Sequence, residues 1–361
     1  MSLKGRVLMA MSGGIDSSIA ALLLHEKGYE VIGFTLKTWD YQSSCGSKKE
    51  TGCCSLDSIN DARDIAVKLG VKHYVLDVRE EFNKFIVDDF ISEYLSGRTP
   101  NPCVLCNTHI KWDLLLSKAD MLDCEYISTG HYARVRSEND RAVLYKGVDE
   151  NKDQSYVLWG LKQEYLKRTL FPLGELLKQD IKKKANDLGF EHLTKKSESY
   201  EICFIPDNDY RAFLNHKVDG LSEKYDNGDF FSTDGKFLGK HKGFPFYTIG
   251  QRKGLNIATG TPLYVLEIKP DTNTIILGHK EDLIRKEMYV GKINMIKYDN
   301  ITEKTNILTK IRYKDKGALS NLKMEGDKIK VDFLSEVNAV APGQSAVFYE
   351  NDDVVGGGII L

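Results

Sequence analysis

Short apolar runs alternate with helix-like stretches along the first third of the chain. The helix-like stretches predict helices over residues 16–27, 55–69 and 80–95, and Gly28 and Gly70 close the first two. The apolar runs are short and rich in branched and aromatic residues, so they predict strands. These strands span residues 6–11, 30–39, 72–77 and 125–129. Strands and helices in this order predict a parallel sheet with helices on both faces.

The pattern changes after this region. Pro100 and Pro102 interrupt it, and two prolines so close together predict an ordered loop over residues 99–107. A helical region follows, including residues 176–188, and from residue 289 short alternating runs separated by Gly and Asp predict a small barrel. We therefore predict an α/β fold with a doubly wound parallel-sheet domain over residues 1–205, a small central domain over 206–284 and a C-terminal β-barrel over 285–361.

The composition fits a folded protein, with 42% hydrophobic and 28% charged residues among 361. No apolar run approaches the roughly 20 residues that a bilayer span needs, so we expect no membrane partner. The short apolar run near the start fits a strand better than a signal peptide. Seven cysteines without an export signal predict reduced thiols and a cytoplasmic location. The net charge of −2 gives no overall attraction for nucleic acid, which local basic patches would have to hold.

A glycine-rich loop, Ser12-Gly13-Gly14-Ile15-Asp16-Ser17, joins the first predicted strand to the first predicted helix. Glycines at such a turn let backbone N–H groups approach an anion, and the helix dipole adds to the attraction, so the loop predicts phosphate binding. The lysine of a Walker loop is missing, which argues against a P-loop kinase or GTPase. Asp16 would repel a phosphate, so a bridging Mg²⁺ is predicted there. The alternative is a capped helix after a glycine turn, without a ligand.

Three cysteines carry candidate chemistry. Cys103 and Cys106 form a Cys-x-x-Cys pair beside the prolines, and Cys203 lies far downstream between Ile202 and Phe204. One thiolate can hold a persulfide sulfur and a second can release it by closing a disulfide, so two separated cysteines suffice for one sulfur transfer. The alternative for Cys203 is a small buried apolar residue. Cys45, Cys53 and Cys54 lack a fourth ligand at the regular spacing of a zinc site and are predicted to be structural or incidental. Cys124 lies at the start of a predicted strand and is predicted to be buried.

Several sequence blocks, in order from residue 10 to residue 346, resemble one family. They are AMSGGIDS at 10–17, TPNP at 99–102, CN at 106–107, TGHYAR at 129–134, KDQSY at 152–156, ICFI at 202–205, TIGQRKGL at 248–255 and APGQSA at 341–346. The chain resembles the tRNA-specific 2-thiouridylases of the PP-loop ATP pyrophosphatase superfamily. Because the blocks cover nearly the whole chain, they are more specific than the phosphate loop alone.

The resemblance implies an ATP-dependent 2-thiolation of the wobble uridine of tRNA. ATP adenylates the C2 oxygen, a persulfide on Cys203 supplies sulfur to C2, and Cys106 assists release as the partner nucleophile. A Cys106–Cys203 disulfide remains and must be reduced. The implied partners are tRNA and a protein that donates persulfide or sulfide.

The resemblance also implies binding residues for both substrates. The implied nucleotide-binding residues are Ala10, Met11, Ser12, Gly13, Gly14, Ile15, Asp16, Ser17, Leu36 and Gly130. The implied tRNA-binding residues are Asn101, Pro102, Cys103, His131, Lys152, Asp153, Gln154, Arg312, Tyr313 and Gln344.

One position departs from the family pattern. Where many members carry an aspartate that is a candidate general base, this chain has Cys103, so the acid/base step is open. An alternative sulfur route follows, because Cys103, Cys106 and Cys203 could be three ligands of a 4Fe-4S cluster that delivers sulfide. Cysteine thiolates are the usual ligands of such clusters.

The central domain contains a candidate tRNA-contacting segment. Residues 235–255 include five Lys or Arg and no Asp or Glu. Clustered cations attract phosphates and aromatic faces stack on unpaired bases; the interleaved aromatic residues are Phe237, Phe244, Phe246 and Tyr247. The alternative is a solvated lysine-rich surface with core aromatics. The sequence leaves two other functions open: another PP-loop tRNA-modifying ligase, and a non-catalytic protein that binds tRNA or senses nucleotides.

Overall fold

The computed structural model describes residues 4–39, 56–195, 202–205 and 208–361. The predicted structural cysteines Cys45, Cys53 and Cys54 lie outside these ranges. The chain forms two compact units. The first comprises Met1–Ile86, Cys103–Asn208 and Asp352–Val354, and the second comprises Val87–Pro102, Asp209–Asn351 and Val355–Leu361.

The first unit contains a five-stranded parallel sheet with the strand order β3-β2-β1-β4-β7. The strands of this unit are β1 (Arg6–Ala10), β2 (Glu30–Lys37), β3 (Lys72–Asp77), β4 (Tyr126–Ser128), β5 (Ala133–Glu138), β6 (Arg141–Lys146) and β7 (Thr169–Leu170). β5 and β6 form an antiparallel hairpin outside this sheet. The predicted parallel sheet is confirmed, whereas the hairpin was not predicted.

Helices connect these strands, and one of them belongs to the second unit. The helices are α1 (Ile15–Glu26), α2 (Leu56–Leu69), α3 (Arg79–Phe82), α4 (Asp88–Leu95), α5 (Pro102–Leu105), α6 (Asp113–Met121), α7 (Gln163–Leu166), α8 (Lys178–Asp187) and α9 (Glu191–Thr194). The same region also contains two π-helical turns, Asn83–Val87 and Cys106–Trp112, and a 3₁₀ turn at Ser155–Leu158. Of the helices described, none combines the length and apolarity that a bilayer crossing demands.

Strand β1 is buried on both faces of the sheet. Val7 and Met9 pack in one apolar cluster with Ile19 of α1 and Ile181 of α8. Leu8 points to the other face because side chains alternate along a strand, and it is fully buried as well. On that face α6 packs against β1 and β4. Helices therefore cover both faces of the sheet, as the strand and helix order predicts.

The predicted loop over residues 99–107 is confirmed for residues 99–101 and wrong from Pro102 onward. Pro102 begins α5, and helical structure continues without a break through the π-helical turn Cys106–Trp112 into α6. Proline is tolerated at the first position of a helix, because the N–H that it lacks would have no partner there. Pro102 therefore starts the helix that the prediction expected it to prevent.

The second unit combines a small mixed sheet with the barrel. Its further elements are α10 (Tyr210–Lys217), α11 (Leu221–Tyr225), β8 (Gly228–Ser232), β9 (Phe237–His241), β10 (Tyr264–Lys269), β11 (Thr274–Gly278), β12 (Ile284–Met295), β13 (Glu303–Lys310), β14 (Ala318–Glu325), β15 (Lys328–Asn338), β16 (Ser345–Glu350) and β17 (Asp353–Ile360). The small sheet has the order β10-β11-β8-β9. Strands β12-β15-β14-β13-β16-β17 close into a six-stranded barrel because β12 also pairs with β17. The predicted C-terminal barrel is confirmed.

Candidate functional site

The glycine-rich loop lies between β1 and α1, at the carboxyl end of the parallel strands. Its serines close the loop, since the Ser12 N–H donates to Ser17 Oγ and Ser17 Oγ donates to the Gly14 carbonyl, each at 3.1 Å. Gly14 occupies the N-terminal cap of α1 and has no side chain to cap it. The N–H groups of the first turn can therefore point at an anion, where the helix dipole also favours negative charge.

Two glycines allow other elements to pack against this loop. Gly13 has a φ of +69°, and a Cβ there would lie 1.9 Å from the carbonyl oxygen of Ser58 in α2. Gly130 follows β4, and a Cβ on it would lie 2.8 Å from the backbone nitrogen of Ser17. The end of β4 and the start of α2 thus approach the loop at distances that only glycine permits.

Asp16, in the first turn of α1, is held by two residues to which the sequence assigned no role. Lys178 Nζ at the start of α8 lies 2.7 Å from Asp16 Oδ1 and 2.8 Å from Oδ2. The Tyr132 hydroxyl donates to Asp16 Oδ1 at 2.7 Å. Tyr132 lies in the TGHYAR block, but Lys178 belongs to no block, so only the folded chain brings it to the loop.

Within the described part of the chain, no set of ligands is arranged for either predicted metal site, the Mg²⁺ ion or the 4Fe-4S cluster. Among these residues, no group of three or more His, Cys, Asp or Glu side chains is placed to hold a metal ion. The three candidate cluster cysteines, Cys103, Cys106 and Cys203, are all described and do not form such a group. They therefore do not fit a 4Fe-4S cluster as arranged here. The role of Asp16 in holding Mg²⁺ stays a prediction, and its carboxylate already pairs with Lys178.

His131 is buried behind the end of β4. Its Nδ1 lies 2.8 Å from Thr129 Oγ1, and its ring packs 5.7 Å from the Trp112 ring. Burial, with a further contribution from the charge of Lys111, lowers the pKa of His131 well below its usual range. The imidazole is therefore neutral at neutral pH and offers no positive charge to a phosphate.

The two cysteines that were predicted to transfer sulfur both lie in the first unit and are partly exposed. Cys106 begins the π-helical turn Cys106–Trp112. Cys203 lies in a turn that a hydrogen bond from the Ile205 N–H to the Ile202 carbonyl closes at 3.0 Å. Its neighbour Phe204 is 1% exposed. The alternative that Cys203 is a buried apolar residue is wrong, because Cys203 itself is partly exposed.

Both cysteine segments rest on the helical residues 79–86. The Phe204 ring lies 5.5 Å from the Phe82 ring and 5.9 Å from the ring of Trp39, which follows β2. Helix α3 packs against the turn that Cys106 begins, and the His109 ring in this turn stacks on Phe85 at 5.8 Å. Because Trp39 follows β2, this support lies at the carboxyl end of the sheet, on the same edge as the glycine-rich loop.

The other two cysteines within the described ranges differ in exposure. Cys103, in α5, is exposed, whereas Cys124 is 3% exposed, as predicted, and lies two residues before β4. Burial raises the pKa of the Cys124 thiol to about 11. Cys124 is therefore protonated at neutral pH and unsuited to nucleophilic chemistry.

Two residues of the KDQSY block bind backbone groups of their own unit. Gln154 Oε1 accepts from the Tyr132 N–H at 3.0 Å, and the Gln154 N–H donates to the Tyr132 carbonyl at 2.8 Å. Asp153 Oδ1 accepts from the N–H groups of Gly147 and Ser155, each at 3.1 Å. These contacts fix the segment after β4, while Lys152 is partly exposed. Contacts of these three residues with tRNA stay a prediction.

In the second unit, the APGQSA and TPNP blocks bind each other. Gln344 Nε2 donates to the carbonyls of Thr99 at 3.1 Å and Pro100 at 2.9 Å. Asn101 Nδ2 lies 3.5 Å from Ser345 Oγ. The exposed residues Arg312 and Tyr313 follow β13, and the Arg312 guanidinium donates to the Asn338 carbonyl at 3.1 Å.

The basic segment of residues 235–255 offers less stacking surface than predicted. Phe244, Phe246 and Tyr247 are at most 8% exposed, whereas Phe237 is 52% exposed. The alternative of core aromatics is therefore correct for three of the four. Lys240 pairs with Asp229, which reduces its charge toward a phosphate.

Three family models match the chain in succession. They are described as the tRNA methyl transferase HUP domain over residues 5–207, the tRNA methyl transferase PRC-barrel domain over residues 212–279 and the aminomethyltransferase beta-barrel domain over residues 285–360. The parallel-sheet unit thus has the architecture of the HUP class.

Relatives match over the full length. The tRNA-specific 2-thiouridylase MnmA of Cytophaga hutchinsonii is 60% identical over 100% of this chain and 98% of its own length. The proteins of the same name from Amoebophilus asiaticus and Salinibacter ruber are 61% and 54% identical, covering 99% and 100% of this chain and 95% of each relative. The chain therefore belongs to the tRNA-specific 2-thiouridylase family, as its sequence blocks predict.

Proposed function

We propose that this protein uses ATP to replace the C2 oxygen of the wobble uridine of tRNA with sulfur. The observation that carries the proposal is the shared support of the two cysteine segments. Cys106 and Cys203 rest on the helical residues 79–86, at the carboxyl edge of the sheet that carries the glycine-rich loop. A site that activates a carbonyl oxygen and then delivers sulfur needs both parts on one edge.

The first half-reaction activates the uridine. The loop at the start of α1 binds the phosphates of ATP, and Leu36 at the end of β2 offers an apolar contact for the adenine. The C2 oxygen attacks the α-phosphorus, the bond to the β-phosphate breaks and pyrophosphate leaves. The oxygen now belongs to AMP, which is a better leaving group than oxide or hydroxide.

The second half-reaction delivers sulfur. The terminal sulfur of a Cys203 persulfide attacks C2, and AMP leaves with the original oxygen. The Cys106 thiolate then attacks the Cys203 sulfur, the sulfur–sulfur bond breaks and 2-thiouridine is released. The resulting Cys106–Cys203 disulfide is reduced by a dithiol with two electrons, and a donor protein reloads the persulfide. The need for a reducing dithiol supports our proposal of a cytoplasmic location, since the cytosol keeps thiols reduced.

tRNA is the proposed macromolecular substrate. Because the net charge is only −2, local groups must hold the phosphates. We assign this task to the exposed Arg312 and Tyr313 of the second unit, together with the partly exposed Lys152 of the first unit.

Mass analysis of nucleosides tests the proposal. The protein is incubated with tRNA, ATP, Mg²⁺ and sulfide or a persulfide donor, and the tRNA is digested. We expect the mass gain of one oxygen-to-sulfur exchange on uridine, with release of AMP and pyrophosphate. Cys106→Ser and Cys203→Ser should abolish the persulfide-dependent product, whereas Cys124→Ser, at a buried thiol, should retain it.

Other outcomes separate the competing functions. A nucleoside of another mass that forms with release of AMP and pyrophosphate, and that survives both serine substitutions, would favour another ligase that adenylates tRNA. Binding of ATP and tRNA without pyrophosphate release would indicate a non-catalytic protein.

A further inference from the structure

A histidine of β3 is linked to the start of the glycine-rich loop through a buried threonine of β2. His73 Nε2 lies 2.8 Å from Thr35 Oγ1, and Thr35 Oγ1 donates to the Met11 carbonyl at 2.7 Å. A hydroxyl has a single proton and a carbonyl can only accept, so the Thr35 oxygen accepts its other hydrogen bond from the His73 Nε2–H. The three groups therefore form a relay with one direction, from His73 through Thr35 to Met11.

The relay ends on the peptide group that leads from β1 into the loop. The Met11 carbonyl and the Ser12 N–H belong to this one planar group. Thr35 binds its carbonyl end, and Ser17 Oγ accepts from its N–H at 3.1 Å. Ser17 Oγ in turn donates to the Gly14 carbonyl at 3.1 Å. Because both ends are bound, the peptide group cannot rotate without losing a hydrogen bond, and side chains of β2 and β3 set the direction of the loop.

The surroundings of His73 suit a neutral donor. Gly33 lies opposite His73 in the register of β2 and β3, and a Cβ there would lie 2.7 Å from Met11 Sδ and 3.0 Å from His73 Cδ2. Glycine thus leaves room for both side chains. Burial, with a further contribution from the charge of Arg63, lowers the pKa of His73. The ring is therefore neutral at neutral pH and carries its one N–H at Nε2, a group that an amide can replace.

We propose that His73 and Thr35 are positioning residues of the phosphate loop, which orient the Met11–Ser12 peptide group for the binding of ATP. The inference rests on the proposed use of ATP. Without the relay, the free loop spends part of its time in other shapes, and the affinity for ATP falls by that fraction. The complex with ATP keeps the same loop shape, so the chemical steps keep their rate.

A double-mutant cycle on ATP binding tests this role in the full chain. Thr35→Val removes the hydroxyl, and His73→Leu removes the ring N–H. Each should weaken ATP binding about two- to tenfold, the range for one hydrogen bond between uncharged groups, and raise KM for ATP without changing kcat for tRNA thiolation. Because both variants break one relay, the double variant should lose little more affinity than Thr35→Val alone. His73→Gln keeps an N–H donor and should recover most of the affinity.

A second relay of the same kind provides the matched control. The Trp112 Nε1–H donates to Thr169 Oγ1 at 2.8 Å, and Thr169 Oγ1 donates to the Tyr165 carbonyl at 2.7 Å. It also joins a ring N–H, a buried threonine and a backbone carbonyl, but it ends on α7 and not at the glycine-rich loop. Thr169→Val should lower the free energy of unfolding about as much as Thr35→Val and leave the affinity for ATP unchanged.

A purely structural relay would give a different result. The proposal is overturned if Thr35→Val loses stability as Thr169→Val does but binds ATP like the wild type. Additive losses of affinity in the cycle, or a His73→Gln variant as weak as His73→Leu, would also overturn it. If Thr35→Val does not fold, the pair His73→Leu and His73→Gln decides, and wild-type ATP affinity in His73→Leu contradicts the proposal. A wild-type protein that binds no ATP would instead overturn the proposed function.

Discussion

Two adjacent glycines in the phosphate loop are glycine for different reasons. The φ of Gly13 is +69°, and a Cβ there would overlap the carbonyl oxygen of Ser58 at 1.9 Å. Gly14 has a φ of −90°, and its Cβ would make an ordinary contact with Ser12 Oγ at 3.5 Å. The sequence predicts a close approach of an anion for both. The packing demand at Gly13 depends on α2, a separate element that no local pattern around the loop reveals.

Because of this difference, we expect alanine to reduce stability at Gly13 much more than at Gly14. Gly13→Ala should destabilise the protein by at least about 2 kcal/mol, because it adds left-handed backbone strain to a clash with backbone. It should also abolish ATP binding by displacing the loop. Gly14→Ala should leave the free energy of unfolding nearly unchanged. Denaturant unfolding and ATP titration of both variants check this, and equal destabilisation by the two would contradict the geometry.

Lys178 shows where sequence reasoning ends at the scale of single residues. The sequence predicts a helix over residues 176–188, and α8 is found at Lys178–Asp187. Its partner Asp16 lies in α1, so the contact follows from the packing of α1 against α8. Periodicity identifies an amphipathic helix but does not say which charged residue of its first turn will be buried.

At the scale of elements, the strands and helices of the sheet are predictable because their apolar runs are long enough to carry a period. The prolines misled the prediction, since proline breaks a helix interior but starts a helix equally well. The hairpin of β5 and β6 left a signal that was missed. Asn139 and Asp140 join its strands with φ values of 48° and 62°, and Asn and Asp are the residues that tolerate such tight turns.

The packing of the turn that carries Cys203 leads to a prediction about the rate of sulfur transfer. The ring of Phe204 packs between the rings of Trp39 and Phe82 and holds the turn against them. Phe204→Ala should loosen the turn and slow sulfur transfer about tenfold or more, since small misplacements of a reacting group are costly. ATP-dependent AMP release in the presence of tRNA should persist. The ratio of thiolated uridine formed to AMP released measures the effect.

A second buried phenylalanine provides the control. Phe213 of α10 is fully buried in the second unit, where its ring lies 6.0 Å from Phe90. Phe213→Ala creates a comparable cavity, and we expect about 3–5 kcal/mol of destabilisation for either phenylalanine. Its ratio of thiolation to AMP release should equal that of the wild type. A ratio that falls equally in both variants would show that lost stability, and not the position of Cys203, is responsible.

At the scale of the whole molecule, sequence blocks that are far apart meet. The TPNP block and the APGQSA block are separated by the central part of the chain, yet Gln344 binds the carbonyls of Thr99 and Pro100 within the second unit. Gly343, with a φ of +91°, would bring a Cβ within 2.8 Å of the Thr99 carbonyl oxygen. The sequence identifies both blocks but not their contact, because the contact depends on how the segment after α4 packs within the second unit.

The net charge of −2 makes tRNA binding depend on a few local cations, and this gives a prediction for the whole chain. Arg312→Gln should weaken tRNA binding and lower the slope of log affinity against log salt by about one, the share of one phosphate contact. Lys323→Gln is the control, because Lys323 is an exposed cation of the same barrel that faces Glu325 at 3.7 Å. It removes the same charge and should leave the slope unchanged. Equal slopes for the wild type and Arg312→Gln would show that Arg312 makes no phosphate contact. Equal losses of tRNA affinity in both variants would show that the effect comes only from the overall charge.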